Sequence, residues 1–182
     1  MGKGFTLVEL LIVIGILAVL TAAVVVVLNP AQLLAQARDA QRMSDLEAVT
    51  SAVTFYLVTA DSPTLNTTTT CMVGTSNSGT SCVTVTSSVV TGMGWVRVNL
   101  ASSTGGSPLA TLPTDPVNNT NYYYAYGSDD TNKVFELNTR LESVKYRDNM
   151  KIDGGNDNTC SSTYTDVTCY YEAGTDPGLD LY

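Results

Sequence analysis

Polar and apolar positions divide the chain into unlike parts. Leu10 to Leu28, LLIVIGILAVLTAAVVVVL, carries no charged residue over 19 positions. At about 1.5 Å per residue, that is enough helix to cross a hydrocarbon core. From Pro30 to about Ala60 the pattern changes. Met43, Leu46, Val49, Val53 and Tyr56/Leu57 recur at three- and four-residue spacing, one apolar stripe of an amphipathic helix. Arg38, Asp39, Arg42, Asp45 and Glu47 fall on other faces, with Asp39 and Arg42 spaced to pair at i,i+3. Asp61-Ser62-Pro63 reads as a stop.

Beyond Ser62 the chain is rich in Ser, Thr, Asn and Gly to about Ser81, and strand patterns follow. Val83 and Val85 alternate with Thr84 and Thr86. In GWVRVNL, Val96, Val98 and Leu100 face one way and Trp95, Arg97 and Asn99 the other. NYYYAYG and KVFELNTRL read as a hairpin around SDDTN, with Phe135, Leu137 and Leu141 on one face. After Ser143 the pattern weakens into DGGNDNT, a cysteine loop and a TDPG turn. The prediction is an α+β fold. A long N-terminal helix, apolar half then amphipathic half, packs on a small antiparallel sheet head. The divisions are residues 1–4, 5–29, 30–60 and 61–182.

Where the two helical halves meet, four β-branched residues, Val24 to Val27, precede Asn29-Pro30, and Gly15 is a weak point upstream. Either one long helix with a proline kink or two abutting helices fits. The segment from Ala22 to Pro30 is expected to be helical in lipid, where unpaired backbone is costly. In a packed assembly it could unwind locally.

Composition narrows the function. The chain has 182 residues, a formal net charge of -8 and only 14% charged residues. No cluster of Lys and Arg stands out, which disfavours nucleic acid. There is no His, so the commonest general base and metal ligand is missing. No nucleophile–base set or phosphate loop is present, and an enzyme is not expected. Cys71, Cys82, Cys160 and Cys169 form no CxxC. An even count in polar surroundings suggests disulfides and an oxidising compartment. Three pairings are possible; the two local ones, 71 with 82 and 160 with 169, are the simplest and would staple surface loops. Lys3 before the apolar run places the N-terminus in the cytoplasm and the remainder outside.

One charge interrupts this scheme. In GFTLVEL, residues 4–10, Glu9 stands at the start of the apolar run. A carboxylate in a bilayer costs roughly 2.5 to 3.5 kcal/mol at the centre and needs a partner. GFTLVELLIVIGILAVL resembles the N-terminal cleavage and methylation segment of type IV pilins and type II secretion pseudopilins. LPTDPVNNTNYYYAY followed by VFEL also resembles the Asp-Pro, Asn, Tyr-rich hairpin of pseudopilin-like major pilins. The resemblance implies cleavage between Gly4 and Phe5 by a prepilin peptidase and N-methylation of Phe5. It implies that Glu9 pairs with the N-terminal amine of a neighbouring copy during assembly. It also implies an assembly ATPase, a platform protein and helical packing of many copies.

The expected function is therefore a structural subunit of a type IV pilus-like filament. The precursor sits in the cytoplasmic membrane and the product outside the cell. A type II secretion pseudopilin and a minor tip pilin with an adhesive role are the alternatives. Pseudopilins resembling this chain carry calcium in a C-terminal loop. Asp153, Asn156, Asp157 and Asn158 of DGGNDN offer hard oxygen ligands of that kind. A polar turn is the plainer reading of that stretch, and no other cofactor is expected.

Overall fold

The computed structural model describes residues 4–72, 82–164, 168–176 and 178–181, with Val26 described by its backbone alone. Lys3 and Pro177 of the TDPG turn lie outside these residues. Helix α1 runs Leu7–Leu28 and helix α2 Pro30–Thr59. Strands β1 (Thr70–Met72), β2 (Val83–Thr84), β3 (Tyr124–Asp129), β4 (Val134–Thr139) and β5 (Tyr171–Gly174) follow, with short 3-10 segments at Leu100–Ser102 and Arg147–Lys151. The fold is α+β.

Two helices abut, and Asn29 separates them. Its backbone is left-handed, φ 41°, a conformation Asn tolerates better than most residues. Its carbonyl accepts from the N–H groups of Gln32 (2.9 Å) and Leu33 (3.3 Å), so it ends α1 and also starts α2. Pro30 then occupies the first helical position of α2, where its missing N–H costs nothing and its fixed φ helps. It begins a helix rather than kinking one.

The chain divides into two compact units, Met1–Ala35 and Gln36–Tyr182. In the first, Leu7–Val25 is entirely unburied. The second has a packed core. Leu46, Val49, Ala52, Val53 and Tyr56 of α2 join Tyr124, Tyr126, Phe135 and Leu137 of the sheet in one cluster, with Trp95, Val96, Val98 and Leu100. The predicted stripe is that buried face.

The sheet order is β2-β1-β3-β4-β5. All neighbours run antiparallel except β1 and β2, which pair in parallel, so the sheet is mixed rather than antiparallel throughout. The β3–β4 hairpin closes at SDDTN as expected. Asp129 Oδ1 accepts from Thr131 N at 2.7 Å, and Lys133 takes a positive φ. GWVRVNL is not a strand. An isolated bridge, Thr91 to Asn99, and hydrogen bonds from Trp95 N to Ser87 O and from Leu100 N to Val90 O join it to the preceding segment. Alternation there reflects irregular chain folded into the core. Trp95 is buried with the valines, its indole N–H donating to Pro113 O at 2.9 Å.

The second face of the sheet is also covered. Ala125 packs with Cys71, Tyr123 and Tyr170. Glu136, Asn138 and Arg140 lie on that side of β4, where the C-terminal segment crosses. Leu181 N donates to Glu136 Oε2 at 2.6 Å, and Leu181 O passes so close to Gly127 that a Cβ would meet it at 2.8 Å. Leu141 faces a separate small cluster with Met150 and Cys169, not the Phe135/Leu137 core.

Candidate processing and assembly segment

The first turn of α1 is built by three residues. Thr6 has extended backbone and is the N-cap. Its Oγ1 accepts from Glu9 N at 3.2 Å. In return, Glu9 Oε2 accepts from Thr6 N at 2.9 Å and from Thr6 Oγ1 at 2.7 Å. This is a complete capping box, T-x-x-E, which satisfies helix-end N–H groups from both directions. Thr6 was missed in the sequence, although that four-residue spacing is the signal for it.

Gly4 and Phe5 precede the cap in non-helical chain. A Cβ placed on Gly4 would meet nothing within 4 Å, and Phe5 is 81% exposed. Gly15 lies within α1, equally open. The helix beyond is apolar over Leu7–Val25, 19 residues, long enough to cross a membrane.

In the second unit an ionic cluster ties α2 to two loops. Arg42 and Asp39, spaced to pair, are both wholly buried. Arg42 Nη1 donates to Asp39 Oδ1 at 2.8 Å and to Glu142 Oε1 at 2.8 Å. Its Nε and Nη2 form a fork on Asp115 at 2.6 and 3.1 Å. Asp115 Oδ1 also accepts from Val117 N and Asn118 N. Asp39 accepts from Glu142 N and Ser143 N. Burial disfavours the Arg42 charge, but the hydrogen bonds and charges of Asp115, Glu142 and Asp39 outweigh it, and its pKa rises. Burial likewise pushes the Glu142 carboxyl up. The hydrogen bonds from Arg38 and Arg42 win, so its pKa falls below the ordinary value.

Of the residues named for calcium, Asp153, Asp157 and Asn158 take part in a local hydrogen-bond network. Asp153 accepts from Gly155 N at 3.2 Å and Glu172 N at 2.9 Å. Asp157 N donates to Glu172 Oε2 at 3.0 Å, and Asn158 Nδ2 donates to Gly155 O. They order a turn over β5. Among the described residues, no group of three or more acidic or cysteine side chains is placed to hold a metal ion. Glu172, 3% exposed, is the buried centre of this turn. Burial first, then the charge of Glu136, push its pKa up to about 8.

Both local disulfides are present, Cys71–Cys82 and Cys160–Cys169. They do not simply staple surface loops. Cys71 and Cys169 are fully buried, and polar neighbours in sequence hid that.

The chain thus opens with a capped N-terminal helix, apolar over Leu7–Val25, ahead of a separately packed unit. Residues 2–25 match the family described as the prokaryotic N-terminal methylation motif. This is the prepilin-type cleavage and methylation motif of type IV pilins and pseudopilins, a structural rather than catalytic group. The match covers the leader and most of α1 and leaves the head outside it. No curated protein and no solved structure matches the chain.

Proposed function

We propose that this chain is a structural subunit of a type IV pilus-like extracellular filament. A prepilin peptidase cuts between Gly4 and Phe5, and Phe5 is N-methylated. The subunit waits in the cytoplasmic membrane, anchored by α1, and is extracted by an assembly ATPase and platform protein. Polymerisation buries the α1 surfaces of many copies against one another. The observation that carries this reading is an apolar helix with no buried residue over Leu7–Val25, headed by Glu9 within the methylation motif.

Glu9 has a chemical role in it. Cleavage creates an ammonium at Phe5. Transfer of that charge and of the Glu9 carboxylate into an apolar bundle is costly unless they neutralise each other. A Glu9 on one copy facing the Phe5 amine of the next would satisfy both and fix axial register.

Mass spectrometry of filaments sheared from cells tests the reading. The expected result is an abundant chain beginning at methylated Phe5, four hydrogens lighter than the fully reduced form because of two disulfides. A chain found in membranes, or at trace level in filaments, would reassign it as a pseudopilin or minor tip subunit. A Met1 start in assembled material would overturn processing.

A further inference from the structure

Three of the nine basic residues fall within one short stretch of an otherwise acidic chain, Lys145, Arg147 and Lys151. They lie on and around the Arg147–Lys151 3-10 segment, against one carboxylate, Asp148. All three basic groups sit over aromatic rings: Lys145 over Tyr146 at 4.6 Å, Arg147 and Lys151 over Tyr164 at 4.4 and 4.5 Å. The flanks are exposed aliphatic residues, Val144 at 57% and Ile152 at 80%. Cation, aromatic ring and exposed aliphatic side by side is the chemistry of a membrane interface. Lys145 and Lys151 are exposed, and Arg147 is half-buried with its Nε out of solvent.

Their place along the chain fits. Ser143 N and Glu142 N bond to Asp39, and Asn149 Nδ2 approaches Met43 Sδ. The patch is thus docked on the early part of α2. The apolar span ends at Val25. Helical chain from Val25 to Asp39 reaches at most about 21 Å. The chain between the span and the residue that anchors the patch is thus short.

We propose that Val144–Ile152 is a headgroup-binding surface for anionic phospholipid in the anchored subunit. Lys145, Arg147 and Lys151 would contact phosphates, while Val144 and Ile152 enter the interface. The contact would hold the head at the membrane before assembly and be given up on extraction. This rests on the membrane-anchored reading of α1.

The experiment reconstitutes the full chain in vesicles of phosphatidylcholine, with or without phosphatidylglycerol. Flotation reports anchoring. Amine labelling read by mass spectrometry then reports Lys145 and Lys151, with Lys133 as internal reference. Flotation in both lipids is expected. Labelling of Lys145 and Lys151 should fall about fivefold in the anionic vesicles, the scale of one basic side chain at such a surface, with Lys133 unchanged. In I152D, which adds a like charge to the interface, that protection should shrink. Labelling equal in both lipids, with flotation intact, would overturn the headgroup surface alone. Protection that follows protein concentration would assign the patch to a second copy, and protection of neutral vesicles by added duplex DNA would assign it to nucleic acid. A chain that floats with neither lipid would overturn the anchor and this inference together.

Discussion

The Glu9 carboxylate is already bonded within its own chain, to the N–H and hydroxyl of Thr6. An incoming amine must therefore compete with a made capping box, and its advantage is charge. Thr6 offers only neutral donors, whereas an ammonium also cancels the carboxylate charge that an apolar bundle would leave unpaired. Glu9→Ala should leave the precursor in the membrane fraction at wild-type level, because the apolar span is untouched. Sheared filaments, read by immunoblot, should drop more than about tenfold, the equivalent of one charge-assisted bond. Wild-type filament yield would remove Glu9 from assembly. At a buried charge, Arg42→Met should be severe for a different reason. It leaves Asp39, Asp115 and Glu142 near one another without their shared cation. Breaking a buried ion pair from one side costs roughly 3 to 5 kcal/mol. Urea unfolding in detergent should register that loss; a change under 1 kcal/mol would show the cluster to be dispensable.

Strands β4 and β5 set a pH limit on the head. Glu136 and Glu172 are buried on the same sheet face, with Asp153 and Asp157 beside them, and burial raises all four. Glu172 has an ordinary value of 4.5 and a folded value of about 8. A raised carboxyl favours the folded state in its protonated form. Its contribution is whole below pH 4.5 and is lost as pH rises through 8. Glu142 acts oppositely, held below its ordinary value, so its contribution disappears on acidification. The melting temperature should therefore be highest near pH 5 and fall towards pH 9. E172Q, a permanent mimic of the protonated form, should flatten most of that fall; an unchanged slope would refute the assignment. None of this was legible in the sequence, because β5 is only four residues long and its alternation is lost among loop residues. The stripe on α2 was legible, since Leu46, Val49, Val53 and Tyr56 keep one period for three turns. The i,i+3 pairing of Asp39 with Arg42 was legible, but their burial was not, because Asp115 and Glu142 lie over 70 residues away in sequence. The GFTLVEL segment was legible because its function depends on local spacing, and the cap at Thr6 was overlooked beside it.

For the whole molecule, the two units differ in what holds them. Among the described residues, Ala35 is the one before Gln36 with a buried hydrophobic side chain. Every residue of the three core clusters lies within Gln36–Tyr182, as do both disulfides and the Arg42 cluster. A chain beginning at Gln36 loses the first turn of α2 and its cap at Asn29. Losing a cap costs about 1 kcal/mol. For a domain of this size, that corresponds to roughly 2 to 4 °C in melting temperature. A chain beginning at Gln36 should therefore be soluble without detergent and melt cooperatively within about 5 °C of the full chain, by the same relation. Its two disulfides should form unaided in an oxidising compartment. If it aggregated, or showed no cooperative transition, the head would depend on α1 for its fold. A polymer in which α1 leaves lipid for a protein bundle would then have to refold its heads on the way. A head that folds alone removes that demand: extraction can change every contact of α1 while the ionic cluster and the sheet stay as they are.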